Sequence, residues 1–149
     1  MRFLRTATIT ALAATLSATT LAHQVKEEPN QSYRQSYFAL IGANAGPLFG
    51  MAQGKIDYNA AQASTHINNL KALSNIDVTT AFPAGSDKGT TRAKPEIWSN
   101  KDDFKNKFTA MQDAVNALSA GDKSVQNLGG LGQSCKACHD DYKAKDYLY

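Results

Sequence analysis

Apolar positions from residue 23 onward fall on helical spacings, and no stretch alternates apolar and polar side chains as a half-buried strand would. From about Gln31 to Met51, the residues Phe38, Ile41, Ala45 and Leu48 recur at offsets of three and four and so share one stripe, with Pro47 expected to kink the helix near its end. A second helix is predicted to open near Asp57 as its N-cap and to run to about Leu73, turning Ala60, Ala63, Ile67 and Leu70 inward. Residues 74–98 lose this periodicity and gain Gly, Pro, Thr and Ser, including Phe82-Pro83-Ala84-Gly85 and Lys94-Pro95. They read as a crossover, and an irregular segment this long inside a compact domain usually has a task, such as covering a cofactor. Ser99 with Asp102 has the form of a capping box, and Phe104, Phe108, Met111, Val115 and Leu118 then follow on a bundle seam. The fourth helix is predicted from near Asp122, with Leu128, Leu131, Cys135, Cys138 and Tyr142 inward. Gly129, Gly130 and Gly132 lie in the turn expected before Cys135, where each weakens helix formation by about 1 kcal/mol. Close approach of backbone to a flat group would explain them. The expected fold is all-α, an antiparallel four-helix bundle with a long crossover loop between helices 2 and 3.

Ahead of these helices, Arg2 and Arg5 precede an apolar and small-residue run from about Ala7 to Leu21 that ends at Ala22. This is the form of a secretory signal peptide, residues 1–22. The run is shorter than the roughly 20 apolar residues that cross a bilayer, so no membrane span is expected. Cleavage after Ala22 leaves one domain, residues 23–149, and in a bacterium delivers it to the periplasm.

Loss of Arg2 and Arg5 takes the formal charge from +3 to +1, so nucleic acid is not an expected partner. The acidic pairs Glu27-Glu28, Asp102-Asp103 and Asp140-Asp141 read as solvated helix starts and faces. No supported Ser or Cys nucleophile and no Gly-rich phosphate loop stands out, and no enzymatic turnover is expected.

The chemistry is concentrated at Cys135-Lys136-Ala137-Cys138-His139, which reads C-x-x-C-H, the attachment signature of a c-type haem. Two thiols can add to the two vinyl groups of one porphyrin while the adjacent imidazole supplies the axial iron ligand. On a helix all three side chains meet, because offsets of three and four are neighbours. A zinc site would need four ligands, and beyond Cys135, Cys138 and His139 the chain offers only His23 and His66. A thioredoxin-like dithiol would need a βαβ setting, which residues around 135 do not provide. One covalently attached haem c is the expected cofactor.

These residues, C-K-A-C-H-D-D-Y at 135–142, together with K-P-E-I-W-S at 94–99 and Y-R-Q-S at 33–36 with glycine-rich spacing to Gly54, resemble the cytochromes c′. That family comprises haem-containing four-helix bundles of bacterial periplasms, and the resemblance covers essentially all of residues 23–149. It implies a five-coordinate, high-spin iron with His139 as axial ligand and Phe38 in the distal pocket on the opposite side. It also implies that Arg34 and Gln35 hold the haem propionates, with Arg92 as an additional candidate, and that Lys143 stands on the proximal side where many members carry arginine.

Related low-spin bundle cytochromes place a methionine near position 38, and phenylalanine has no lone pair to offer iron. Met51 lies about 20 Å further along the helix, and Met111 reads as packing. The function implied is a periplasmic cytochrome with a vacant axial site that binds NO and CO, and that exchanges electrons with a redox partner the sequence does not identify. Dioxygen would lack a distal hydrogen-bond donor. The competing expectation is a low-spin electron carrier on the same bundle, with a methionine or His66 as sixth ligand. Peroxidase-like turnover finds no acid–base pair near Phe38. Many members are homodimers through the first two helices, where Leu40 and Leu73 stand off the core stripe, so a homodimer is expected. His66 otherwise reads as a flank residue and Trp98 as an anchor of the crossover.

Overall fold

The computed structural model describes residues 28–119 and 124–148. The expected leader at residues 1–22 and the expected helix start at Asp122 lie outside the described residues. Helix α1 spans Pro29–Ala52 and starts where proline suits the first turn, with the Glu28 carboxylate accepting from the backbone N–H of Asn30 at 3.2 Å and from that of Gln31. It runs through Pro47 to Ala52, close to the expected end at Met51. Its buried stripe comprises Arg34, Tyr37, Ile41, Ala45, Leu48 and Met51, again at offsets of three and four. Phe38, expected on that stripe, lies on its flank and is 37% exposed, because Tyr37 takes the inward position beside it. The Tyr37 hydroxyl donates to the Leu73 carbonyl at 3.2 Å, and burial pushes its pKa up to about 12.

Helix α2, Ala60–Ser74, is capped by Asn59, whose side chain accepts from the Gln62 N–H at 2.9 Å; the cap is therefore two residues later than the expected Asp57. Ala63, Ile67 and Leu70 are fully buried, as their spacing predicts, whereas Ala60 in the first turn is exposed. The crossover contains a 3₁₀ turn at Val78–Ala81 and the short helix α3, Glu96–Ser99. Helix α4, Lys101–Asn116, follows after a break at Asn100. No capping box forms there: Ser99 closes α3, its hydroxyl donates back to the Glu96 carbonyl at 3.3 Å, and no side chain caps α4. Asp102 and Asp103 still place negative charge at the positive end of the α4 dipole. Helix α5, Gly129–Tyr142, begins after a 3₁₀ turn at Ser124–Asn127, so the three glycines lie inside its first turn rather than before it.

α1 packs on α2, α4 on α5, and α2 joins the two pairs through α4. Among the described residues the one β-type pairing is an isolated antiparallel bridge between Ala93 and Lys143. The four long helices form the expected all-α bundle, with the crossover lying between α2 and α4. The apolar interior divides into a large cluster that includes Tyr37, Leu48, Ile67, Leu70, Met111 and Leu131, and a smaller one of Phe82, Ile97, Phe104 and Tyr142.

Candidate functional site

Two sets of contacts fix how α1 and α5 face each other. At one end, the Arg34 guanidinium stands 4.9 Å over the Phe82 ring, Phe82 meets Phe104 with centroids 4.8 Å apart, and Phe104 meets Tyr142 at 5.3 Å. At the other, Gly132 of α5 approaches α1 so closely that a Cβ there would lie 3.6 Å from the Phe49 ring. α1 and α5 therefore run antiparallel. One turn inward from Arg34 stands Phe38, and one turn inward from Tyr142 stand Cys138 and His139. Phe38 on α1, and Cys138 with His139 on α5, thus each lie one turn in from residues joined through the Phe82–Phe104 pair.

The side chains between these ends leave room. Phe38, Gly42, Gly46 and Phe49 share one flank of α1, and a Cβ at Gly42 or at Gly46 would meet no atom within 4 Å. On α5, Gly132, Cys135 and His139 recur at offsets of three and four. Cys135 packs on the large apolar cluster and Cys138 on the small one. A flat, largely apolar group held by both sulfurs would meet apolar side chains from each cluster and a glycine-lined helix flank, so the residues present fit a porphyrin.

Both thiols are free and half-buried. Burial pushes the Cys138 thiol up to about 11 and moves Cys135 in the same direction. Among the described residues no group of three or more His, Cys, Asp or Glu is placed to hold a metal ion by itself. His139 is an exposed residue whose imidazole is shifted to lower pKa by burial of the ring, then by the cations Lys143 and Arg92, with Asp140 opposing. All the larger influences favour the neutral imidazole, the form that binds metals.

The segment after His139 is clasped to the crossover. Lys94 N–H donates to the Tyr142 carbonyl at 3.0 Å, Ala144 N–H to the Arg92 carbonyl at 2.7 Å, and Leu148 N–H to the Thr91 carbonyl at 3.0 Å. The Arg92 side chain adds a bond from Nε to the Ala144 carbonyl at 2.8 Å. The structure therefore brings Arg92 and Lys143 close to His139.

Arg34 and Gln35 sit at the far side of the same crossover. Arg34 is 3% exposed, donates to the Ala81 carbonyl at 2.8 Å, the Ser86 carbonyl at 2.8 Å and the Ser86 hydroxyl at 3.1 Å, and lies 5.4 Å from the Trp98 ring. Gln35 donates to the Thr90 carbonyl at 2.9 Å, and Gln31 donates to that same oxygen. Gly89 next to it has a φ of 81°, and a Cβ there would collide with the Gln31 amide. Sequence reasoning missed Gln31, Ser86 and the two α1 glycines. For Gly42 and Gly46 a signal existed, since both stand on the Phe38 face at helical spacing.

The sequence model of the family described as Cytochrome C′ matches residues 30–143. The chain belongs to the cytochrome c′ family. Cytochrome c′ from Alcaligenes xylosoxydans xylosoxydans is 39% identical over 126 residues, covering 80% of this chain and 97% of that one. Among solved structures, cytochrome c′ from Shewanella frigidimarina has a TM-score of 0.71 at 43% identity, covering 78% of this chain and 94% of that one. A nitric oxide complex of a single-residue variant of cytochrome c′ from Alcaligenes xylosoxidans has a TM-score of 0.67 at 39% identity, covering 79% of this chain and 96% of that one. Like other cytochromes c′ this protein carries haem c, and Cys135 and Cys138 stand as its attachment pair. No described helix is long and apolar enough to cross a membrane.

Proposed function

We propose that this cytochrome c′ is a periplasmic, high-spin haem protein whose iron is bound by His139 on one side, open on the other, and able to take up NO and CO there. The observation that supports this reading is that Phe38, the residue expected in the distal pocket, lies one turn in from Arg34 on α1 while Cys138 and His139 lie one turn in from Tyr142 on α5, and that Arg34 and Tyr142 are linked through Phe82 and Phe104. Phenyl carbon offers no lone pair. An apolar plug selects for ligands that are small and nearly apolar, and whose bond to iron offsets the cost of moving the ring. Haem would supply the iron for that bond, with His139 as the residue that holds it. Arg34, Gln35 and Arg92 are the donors assigned to the propionates, alongside their bonds to the crossover. Electron exchange with a redox partner is a second role of the same iron, homodimerisation is expected, and no catalytic turnover is assigned.

The low-spin alternative needs a sixth ligand, and the candidates are ill placed for it. Met51 and Met111 are buried in the large apolar cluster, and the His66 Nδ1 is 3.1 Å from the Asn44 side-chain oxygen, with α1 and α2 as its setting. The deciding experiment is the optical and EPR spectrum of purified ferric and ferrous protein at neutral pH, before and after addition of NO and of CO. A high-spin ferric signal and uptake of both gases is the expected result. A low-spin spectrum unmoved by CO would overturn the reading and leave electron transfer alone.

A further inference from the structure

Helix α5 carries Cys135, Cys138 and His139 in its C-terminal part and ends without the glycine that closes many helices. Its C-cap, Lys143, is extended, with φ −117° and ψ 119°, so the carbonyls of the last turn have to find most of their donors outside the helix. The His139 carbonyl accepts from the Lys143 N–H at 3.1 Å. Two of the other three are answered by one residue of the crossover, Lys94: its N–H donates to the Tyr142 carbonyl at 3.0 Å, and its ammonium to the Asp140 carbonyl at 2.9 Å. The neighbouring carboxylates are paired elsewhere, Asp140 with Lys136 and Asp141 with Lys107 at 2.8 Å. Helix carbonyls point along the axis toward the C-terminus, so the Lys94 bonds lie past the end of α5 and not on the flank where Cys135 and His139 align. The antiparallel bridge between Ala93 and Lys143 keeps the two segments in register.

We propose that Lys94 is a positioning residue for His139: it caps α5 from the crossover, keeps the turn that carries the imidazole wound, and so fixes how that ring is presented. The inference rests on the reading of His139 as the axial ligand. Lys94 acts through the Asp140 and Tyr142 carbonyls, which belong to the same turn as His139, and its positive charge stands at the negative end of the helix dipole.

The test compares three variants of the holoprotein with the wild type. Lys94→Met removes the ammonium but leaves the main-chain bond to Tyr142 in place, so it is expected to fold. Lys94→Arg restores a cation with donors, and Lys105→Met makes the same change of charge at an exposed position of α4. Amide hydrogen exchange at Lys143 and the iron–histidine stretching band in the resonance Raman spectrum of the ferrous protein are read for each. Lys94→Met is expected to speed exchange of the Lys143 amide about three- to fivefold, the loosening that follows loss of a cation at a helix C-terminus, and to broaden or shift the band. Lys94→Arg should restore both, and Lys105→Met should change neither. The proposal is overturned if Lys94→Met leaves the band as in the wild type, even with faster exchange, since Lys94 would then serve stability alone. It is equally overturned if Lys94→Arg or Lys105→Met alters the band as much as Lys94→Met does. A wild type without an iron–histidine band fails differently, since it removes His139 as the ligand and the positioning role with it.

Discussion

Arg34 shows how one side chain can serve two structural ends at once. Its guanidinium is buried, answers two crossover carbonyls, and stacks against the touching rings of Phe82 and Trp98. Burial lowers its pKa, with Glu28 and then Asp87 opposing the shift, yet it remains charged at any ordinary pH. Arg34→Ala leaves the Ala81 and Ser86 carbonyls without their donor inside the protein, and should lower stability to urea by about 2–4 kcal/mol. Arg34→Lys keeps the charge but loses the fork, and should recover less than half of that loss. Equal urea midpoints for wild type and Arg34→Ala would show that the crossover does not depend on this grip. The buried phenols give a second prediction at the same scale. Tyr37 is pushed up to about 12, and Tyr142 is raised too, by burial first and then by its 2.5 Å hydrogen bond to the Asp103 carboxylate. Below pH 10 both are protonated whether the chain is folded or not, and their contribution is fully present. Above it the unfolded phenols release protons that the folded ones retain, so stability falls as pH rises from about 10 toward 12. The melting temperature by far-UV circular dichroism should hold between pH 8 and about 9.5 and then decline, and the decline should be shallower in Tyr142→Phe.

At the scale of helices, the sequence displayed every long element, and where it misled, a neighbouring residue had the better claim. Asn59 caps α2 in place of Asp57 because it directly precedes the first helical residue and its amide oxygen reaches the Gln62 N–H. Asn59→Ala should therefore lower stability by about 1 kcal/mol, while Asp57→Ala should leave it within experimental error; the reverse order in thermal melts would restore the earlier cap. On α1 Ile41, Ala45 and Leu48 face inward as their spacing predicts, but Tyr37 takes the inward place expected for Phe38, since both are aromatic and periodicity alone does not decide between them. A hydrogen bond to Leu73 settles it for Tyr37, and that partner is 36 residues away in sequence. The same difficulty hid Ser86 and Gln31, whose roles depend on long-range pairing across an irregular crossover with no period to read. The attachment pair needed no such information. C-x-x-C-H is a local pattern, and its chemistry is legible wherever a helix carries it. The face opposite it was expected only through the family resemblance, because the ring contacts at Phe82, Phe104 and Tyr142 join three separate elements that no local pattern brings together.

For the molecule as a whole, the distribution of exposed apolar side chains bears on assembly. α1 carries Tyr33 at 44% and Leu40 at 52% exposure, and Ile76 just beyond α2 is 38% exposed. Leu73, by contrast, packs partly buried against the large cluster and contributes less to any outer face than its place off the core stripe suggested. Near Leu40 the polar side chains are already committed to each other: Asn44 donates to the Leu40 carbonyl at 2.9 Å, and its own oxygen accepts from Asn69 at 2.9 Å and faces His66 at 3.1 Å. An outer face that combines exposed leucine and tyrosine with pre-satisfied amides needs little polar desolvation to meet a second copy of itself, and a two-fold contact repeats each such residue across the axis. The proposed haem site lies between α1 and α5, so pairing through α1 and α2 is expected to leave gas entry unobstructed. Sedimentation velocity of the holoprotein at micromolar concentration should accordingly give a dimer, and Leu40→Glu, which places a like charge on both sides of the axis, should give a monomer with the same haem spectrum and the same CO uptake. A monomeric wild type would remove the dimer. A Leu40→Glu protein that stayed dimeric would move the contact off this face, and a loss of CO uptake on dissociation would mean that the α1 flank bearing Phe38 and Gly42 is shaped by the partner as well as by this chain.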